Sequence, residues 1–262
     1  MGLTGYTIAV SGKGGVGKTF LSSFLIRYLS EKRSVLAIDA DPDSNLPMGL
    51  GINEYQTVGD AREQLLDIRN ITRDDQEDKM AIFKRRIHEV VFEDDKFDLL
   101  VMGRSEGEGC YCAVNHILRQ AIDGLSKSYE LVIIDCEPGL EHFSRRTAHD
   151  VNLLVVVIDS SRKGIITAKR IKGLSQELHI IFDRIFVVAN RITPANLKIL
   201  NEGTRGLDIE IRESIPFDPQ LEELDARGAS IFDLGEDSPA YQAAGSVAEQ
   251  IEAEIERLGK EL

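Results

Sequence analysis

The chain has 262 residues, of which 42% are hydrophobic and 29% charged, a composition typical of a soluble globular protein. Its formal net charge is -13, so the chain has no excess of Lys and Arg. Binding to nucleic acid or to an anionic membrane needs such an excess, and neither is expected as a partner. Three cysteines are too few for a disulfide framework and no aliphatic run could span a bilayer, so a cytoplasmic protein is expected.

Seven short hydrophobic runs along the chain predict β-strands, and helical patterns such as Thr19 to Glu31 separate them. Nearly continuous hydrophobicity is typical of parallel strands covered on both faces. The alternation predicts a single α/β domain with a doubly wound, mostly parallel sheet flanked by helices. A polar stretch at about 69–96 is predicted to be a helical surface insertion, and an acidic amphipathic helix is predicted at the end. The runs are "TIAVSG", "SVLAIDAD", "FDLLVMG", "YELVIIDCEPG", "NLLVVVIDSS", "RIFVVANRI" and a weaker one before "SIPFDP".

A phosphate-binding motif follows the first predicted strand. The segment "GKGGVGKT" fits the pattern G-x-x-x-x-G-K-[ST] and lies between a strand and a helix. Its glycines let backbone N–H groups point inward, and the helix N-terminus adds partial positive charge. Lys18 is expected at the β- and γ-phosphates and the Thr19 hydroxyl at Mg²⁺, as in P-loop NTPases. The predicted nucleotide contacts here are Gly12, Lys13, Gly14, Gly15, Val16, Gly17, Lys18, Thr19 and Phe20.

A second lysine, Lys13, lies inside this loop, where an ordinary phosphate loop does not need one. "KGGVGKT" resembles the deviant Walker A motif of the MinD/ParA-like ATPases, a family that includes the nitrogenase iron protein and the arsenite-pump ATPase. The resemblance implies a homodimer in which Lys13 reaches the partner's nucleotide and is catalytic together with Lys18, as an arginine finger is. Phe20 departs from the family, which usually has a hydroxyl residue there, so a side-chain contact to the α-phosphate cannot be carried over.

Two aspartates end the second predicted strand in "AIDADPDSNL". Asp39 and Asp41 are two residues apart and project to one side of an extended chain, where they can hold Mg²⁺ or orient water. The resembled family has its first switch here. We therefore predict that Asp41 is catalytic and positions the attacking water, and that Asp39 belongs to the magnesium shell.

A pair of cysteines, Cys110 and Cys112, lies in "GEGCYCAVN". In an extended segment both sulfurs point to the same side and can meet one metal ion. Zn²⁺ and Ni²⁺ normally take four ligands, so two more are needed. They come either from His116 and Cys136 of the same chain or from the same pair in a symmetry mate. Small buried cysteines without a ligand are the alternative.

Three later motifs complete the predicted nucleotide site. In "LVIIDCEPG", Asp135 follows four aliphatic residues and Gly139 comes four later, as in a Walker B strand followed by switch II. Asp135 is predicted to hold Mg²⁺ through water, and Gly139 to sense the γ-phosphate. By resemblance, Asn190 in "VVANRI" reads the adenine edge, and Pro216, Phe217 and Asp218 in "SIPFDP" lie against the ring.

The segments "DADPDSNL", "GCYCAVN" and "GLEHFSRRTA" together resemble the CooC-type nickel-insertion ATPases, over essentially the whole chain. That family serves maturation of carbon monoxide dehydrogenase and, in close relatives, acetyl-CoA synthase. The resemblance implies that Cys110 and Cys112 bind a metal between two subunits. The expected protein is an ATP- and Mg²⁺-dependent metallochaperone that loads Ni²⁺ (or Zn²⁺) at its dimer interface and delivers it to a nickel enzyme.

Two other functions stay open from the residues alone. An iron–sulfur ATPase similar to the nitrogenase iron protein could use the cysteine pair of each subunit to hold one bridging cluster. A MinD/ParA-like spatial-organisation ATPase would bind DNA or membrane. The net charge of -13 and the lack of a basic amphipathic tail argue against the second function.

Overall fold

The computed structural model describes residues 5–61, 85–103, 124–138, 151–177, 182–205 and 210–261. Within these ranges the seven predicted runs are strands, and one further strand of two residues is present. The strands are β1 (Tyr6–Gly12), β2 (Val35–Asp39), β3 (Phe92–Glu93), β4 (Phe97–Val101), β5 (Leu131–Asp135), β6 (Val151–Ile158), β7 (Phe182–Ile192) and β8 (Ile211–Pro216). The main helices are α1 (Lys18–Leu29), α2 (Leu46–Gly49), α3 (Arg162–Glu177), α4 (Pro194–Thr204), α5 (Pro219–Ala226) and α6 (Pro239–Glu261), with a 3₁₀ turn at Ile231–Asp233.

The strands form one sheet in the order β3-β4-β2-β5-β1-β6-β7-β8. All neighbouring pairs are parallel except β3 and β4. Strands β2 to β5 lie on one side of β1 and strands β6 to β8 lie on the other, which confirms the predicted doubly wound α/β fold. Ligands of such folds bind where the winding direction changes, at the carboxyl ends of the strands. The phosphate loop leaves β1 at that place.

Both faces of the sheet are buried. Ile8 and Val10 of β1 belong to a core with α1 and α6, whereas Ala9 belongs to a core with α3 and α4. Because side chains on both faces of these strands are buried, neither face carries the polar residues that a solvent-exposed face would have. This explains the continuous hydrophobic runs. No helix in the described part of the chain is long and apolar enough to cross a membrane.

The helical insertion predicted at about 69–96 ends in a short strand instead of a helix. Residues 69–84 lie outside the described residues, and 85–89 are helical. Strand β3 then pairs antiparallel with β4 through Phe92 and Leu99. The backbone N–H of Asp94 donates to Phe97, closing a tight turn between them. A two-residue strand is too short to show an alternating pattern, so the helical prediction was wrong there.

Candidate nucleotide site

A cavity of about 380 Å³ opens at the carboxyl ends of the central strands. Five residues of the predicted site do not line this cavity: Gly12, Lys13, Val16, Asp39 and Asp135. A sixth, Gly139, lies outside the described residues. The other predicted contacts meet around this one space. They are Gly14, Gly15, Gly17, Lys18, Thr19, Phe20, Asp41, Asn190, Pro216, Phe217 and Asp218.

The phosphate loop joins β1 directly to α1. A Cβ atom on Gly12 would lie 2.3 Å from the Val157 carbonyl oxygen, so the loop can leave β1 beside β6 only with glycine there. Gly17 has φ +94°, in the left-handed region, and no side chain caps the start of α1. The N–H groups of the first helical turn therefore face the cavity without a side-chain cap, which is the arrangement that binds anions.

Beneath the loop lies the buried carboxylate of Asp135, 1% exposed at the end of β5. The Thr19 hydroxyl donates to its Oδ2 atom at 2.7 Å, and the Ser22 hydroxyl donates to Oδ1 at 3.0 Å. Burial raises the pKa of Asp135 to about 6, although both hydrogen bonds and the charge of Lys18 act in the opposite direction. The phosphate-binding motif and the predicted Walker B strand, which are far apart in sequence, are thus in direct contact.

Asp39 and Asp41 take different positions, contrary to the prediction that they project to one side. Asp39 is fully buried, and its oxygens accept the N–H groups of Asp41 and Leu46, both at 3.0 Å. Asp41 is only partly buried and lines the cavity. The chain turns immediately after β2, where the Ser44 N–H donates to the Asp41 carbonyl, so the extended geometry ends at Asp39. Asp39 shapes the loop that carries Asp41.

The buried carboxyls predict a pH dependence of stability. Burial raises the pKa of Asp39 to about 7, and the neighbouring Asp135 charge adds to this rise. Because the folded pKa is above the unfolded value of about 4, stability from this group is complete below about pH 4 and is lost as pH rises through about 7. Without Mg²⁺, we expect wild type to lose on the order of 2 kcal/mol relative to Asp39→Asn between about pH 4 and pH 8. Urea unfolding in EDTA measures this difference, and a pH-independent difference would contradict it.

Lys13 is held by an acidic residue that the sequence reasoning missed. Its Nζ atom lies 3.7 Å from Oδ2 of Asp159, directly after β6, and the lysine side chain is 41% exposed. The register of the neighbouring strands pairs Gly12 with Val157, which brings the two following loops together. Asp159 also accepts hydrogen bonds from the backbone and hydroxyl of Ser161. Only the pairing of β1 with β6 makes this aspartate a partner of Lys13.

The ends of β7 and β8 line the cavity beside the phosphate loop. The Asn190 side chain donates to the Val16 carbonyl rather than projecting freely, and its role in reading adenine stays a prediction. Phe217 is 39% exposed and lines the cavity. Burial acts to raise the pKa of Asp218, but hydrogen bonds from Ser238 and backbone N–H groups lower it below its usual value. Among the cavity-lining residues that the sequence did not predict are Met48, Arg191, Leu221, Glu222 and Asp225.

Comparison with known proteins agrees with this geometry. The family model for the CobQ/CobB/MinD/ParA nucleotide binding domain matches residues 7–231. The chain belongs to this family. Its fold is also that of MinD from Aquifex aeolicus, with a TM-score of 0.67, 22% identity, and coverage of 95% of this chain and 97% of MinD.

Two relatives of this CobQ/CobB/MinD/ParA family member match over most of their length. An uncharacterized ATP-binding protein of Methanocaldococcus jannaschii is 45% identical over 248 residues, 93% of this chain and 97% of the relative. The carbon monoxide dehydrogenase accessory protein CooC of Rhodospirillum rubrum is 34% identical over 250 residues, 89% of this chain and 90% of CooC. The resemblance to CooC is thus a relationship along the chain, beyond the shared motifs.

The predicted transition-metal ligands Cys110 and Cys112 lie outside the described residues, as does His116. Cys136 is 5% exposed in the core between the sheet and its helices, and its Sγ atom donates to the Ile134 carbonyl at 3.6 Å. Burial raises the pKa of this thiol well above its usual value. Among the described residues of this chain, no group of three or more His, Cys, Asp or Glu side chains is arranged to hold a metal ion.

Proposed function

We propose that this protein binds ATP in the cavity and hydrolyses its γ-phosphate bond. The proposal is carried by the hydrogen bond between Thr19 and Asp135, which joins the phosphate loop to the second strand-end motif. The uncapped N–H groups at the start of α1, with the Lys18 ammonium, would bind the phosphate oxygens. Asp41, which lines the cavity, would orient the attacking water.

The residues beneath the loop suit Mg²⁺, which prefers oxygen ligands. Because Thr19 gives its hydroxyl proton to Asp135, its oxygen lone pairs are left for a cation in the cavity. The Asp135 carboxylate would add negative charge close by and hold the hydroxyl in this orientation. Asp39 would act through the loop that it shapes, since its oxygens already accept two backbone N–H groups. Bound Mg²⁺ would neutralise charge on the phosphates.

We further propose that the working form is a homodimer in which Lys13 acts on the partner's nucleotide. The side chain is 41% exposed, and its ion pair with Asp159, at 3.7 Å and partly solvated, is of a kind worth no more than about 1 kcal/mol. Lys13 can therefore leave Asp159 and bind a phosphate instead without a large cost in free energy. The family resemblance of the loop supports the same role.

The cargo that we propose is a thiophilic transition metal, most simply Ni²⁺, held by Cys110 and Cys112 of both subunits. Two thiolates from each chain supply the four ligands that such ions take. The proposal is supported by the Cys-x-Cys motif and by the 34% identity to CooC, whose name connects it with carbon monoxide dehydrogenase. The client would then be a nickel enzyme such as carbon monoxide dehydrogenase or acetyl-CoA synthase.

Replacing both cysteines tests the cargo. In the presence of a non-hydrolysable ATP analogue, we expect wild type to bind one Ni²⁺ or Zn²⁺ per dimer. The Cys110→Ala/Cys112→Ala variant should lose at least about a hundredfold in affinity, because a homodimer of this variant lacks all four thiolate ligands. Metal analysis after gel filtration and competition with a chromophoric chelator measure both quantities.

Cys136→Ala is the matched control, since that thiol is buried in the core. It should retain the metal. Unchanged metal affinity in the double variant would overturn the cargo proposal, and loss of metal only in Cys136→Ala would move the site into the core. Visible charge-transfer absorption after anaerobic reconstitution with iron and sulfide would favour an iron–sulfur protein instead.

A further inference from the structure

Asn190 is a buried polar residue at the end of β7, and it contacts the phosphate loop. It is 3% exposed, and its Nδ2 atom donates to the Val16 carbonyl at 2.9 Å. Its Oδ1 atom accepts the backbone N–H of Arg191, also at 2.9 Å. Both ends of the amide are therefore engaged by the protein itself. The contact with Val16 joins residues that are 174 positions apart in sequence.

The loop is shaped to admit this side chain. A Cβ atom on Gly17 would lie 2.1 Å from Nδ2 of Asn190, far inside van der Waals contact. Gly17 also has φ +94°, which favours glycine. The amide therefore fills the space that a side chain at position 17 would need. It lies directly against the peptide that leads into Lys18, where phosphate is expected.

The backbone beyond Asn190 is strained and held on both sides. Arg191 has φ +57°, a left-handed conformation that is strained for a residue other than glycine. Its N–H is bound by Asn190, and its carbonyl accepts from Asn196 Nδ2 at 3.3 Å. Here the register between β7 and β8 shifts. This irregularity in the strand pairing orients the Asn190 amide toward the phosphate loop.

We propose that Asn190 is a positioning residue for the phosphate loop and that its main effect is on phosphate binding rather than on recognition of the base. By holding the Val16 carbonyl, it fixes the peptide plane between Val16 and Gly17 and so aims the N–H group of Gly17. The inference rests on the proposed ATP binding and deepens it, because it assigns the amide to the phosphate end of the site.

Inorganic tripolyphosphate separates the two roles, because it has phosphates but no base. With Mg²⁺ present, we expect Asn190→Ala to weaken binding of ATP and of tripolyphosphate by the same factor, about tenfold to a hundredfold. Isothermal titration calorimetry on the full chain measures both. Asn201→Ala, an exposed asparagine on α4, is the control and should bind both ligands as wild type does.

The outcomes divide clearly. If Asn190→Ala weakens ATP alone and leaves tripolyphosphate unchanged, the amide reads the base and the proposal is overturned. Unchanged binding of both ligands overturns it as well. If wild type binds neither ligand, the proposed ATP function itself has failed, which is a different result from a difference between variant and wild type.

The Asn190→Asp variant tests the same contact without loss of volume. It keeps an acceptor for the Arg191 N–H but turns a second oxygen toward the Val16 carbonyl. At about pH 8 we expect weakened tripolyphosphate binding that recovers toward wild type at about pH 5, where the new carboxyl gains a proton to donate. Wild type at the same pH is the reference. A variant-to-wild-type ratio that does not change with pH would show that the donated proton has no role.

Discussion

Asp135→Asn is expected to slow ATP hydrolysis strongly while making the nucleotide-free protein more stable. The carboxylate lies 2.7 Å from the Thr19 hydroxyl, so we expect turnover to fall on the order of 10³-fold once its charge is lost. In the folded chain the same buried charge is costly, since burial raises its pKa to about 6. An asparagine keeps hydrogen bonds with the hydroxyls of Thr19 and Ser22. At about pH 8 the variant should gain on the order of 2 kcal/mol in unfolding free energy without Mg²⁺.

Phosphate release and urea unfolding in EDTA measure these two effects. Asp183→Asn is the control, because Asp183 is exposed at the other end of the sheet and accepts a hydrogen bond from Asn152. It should change stability by less than about 0.5 kcal/mol and leave turnover intact. An Asp135→Asn variant that hydrolyses ATP at the wild-type rate would remove this residue from the proposed magnesium site.

Lys13→Ala is expected to lower ATP turnover by about 10³-fold or more, because a cation supplied to the transferring phosphoryl group contributes effects of that size. Nucleotide affinity of the single chain should change little, since Lys13 does not line the cavity of its own subunit. Release of phosphate and binding of a fluorescent ATP analogue measure the two quantities separately. Lys32→Ala is the control, because Lys32 is exposed in the turn after α1, at the end of that helix away from the loop.

Mixing variants tests whether the lysine acts across a dimer. Lys13→Ala and Asp41→Ala chains should each be inactive, but a mixed dimer has one intact site. An equal mixture should recover about a quarter of the wild-type rate, because half of the dimers are mixed and each regains one of two sites. No recovery, with heterodimers demonstrated by native mass spectrometry, would place Lys13 at the nucleotide of its own chain.

The strands and the phosphate loop could be predicted from sequence because their determinants are local. A parallel strand buried on both faces is hydrophobic at every position, as "LLVVVI" in β6 is, and the loop needs its glycines within eight residues. Strand β3 and the separate orientations of Asp39 and Asp41 could not be predicted in this way. The first is too short for a pattern, and the second depends on where β2 stops.

Pairing between distant segments could be decided only by the tertiary structure. The sequence alone determined the fold class, the phosphate loop, and the strand ends that carry Asp135 and Asn190. Strand order then placed Asp159 beside Lys13 and the Asn190 amide against Val16, contacts that no spacing along the chain encodes. The physical reason is that a phosphate loop is specified by its own backbone conformation, whereas the side chains that hold it come from whichever strands the sheet brings next to β1.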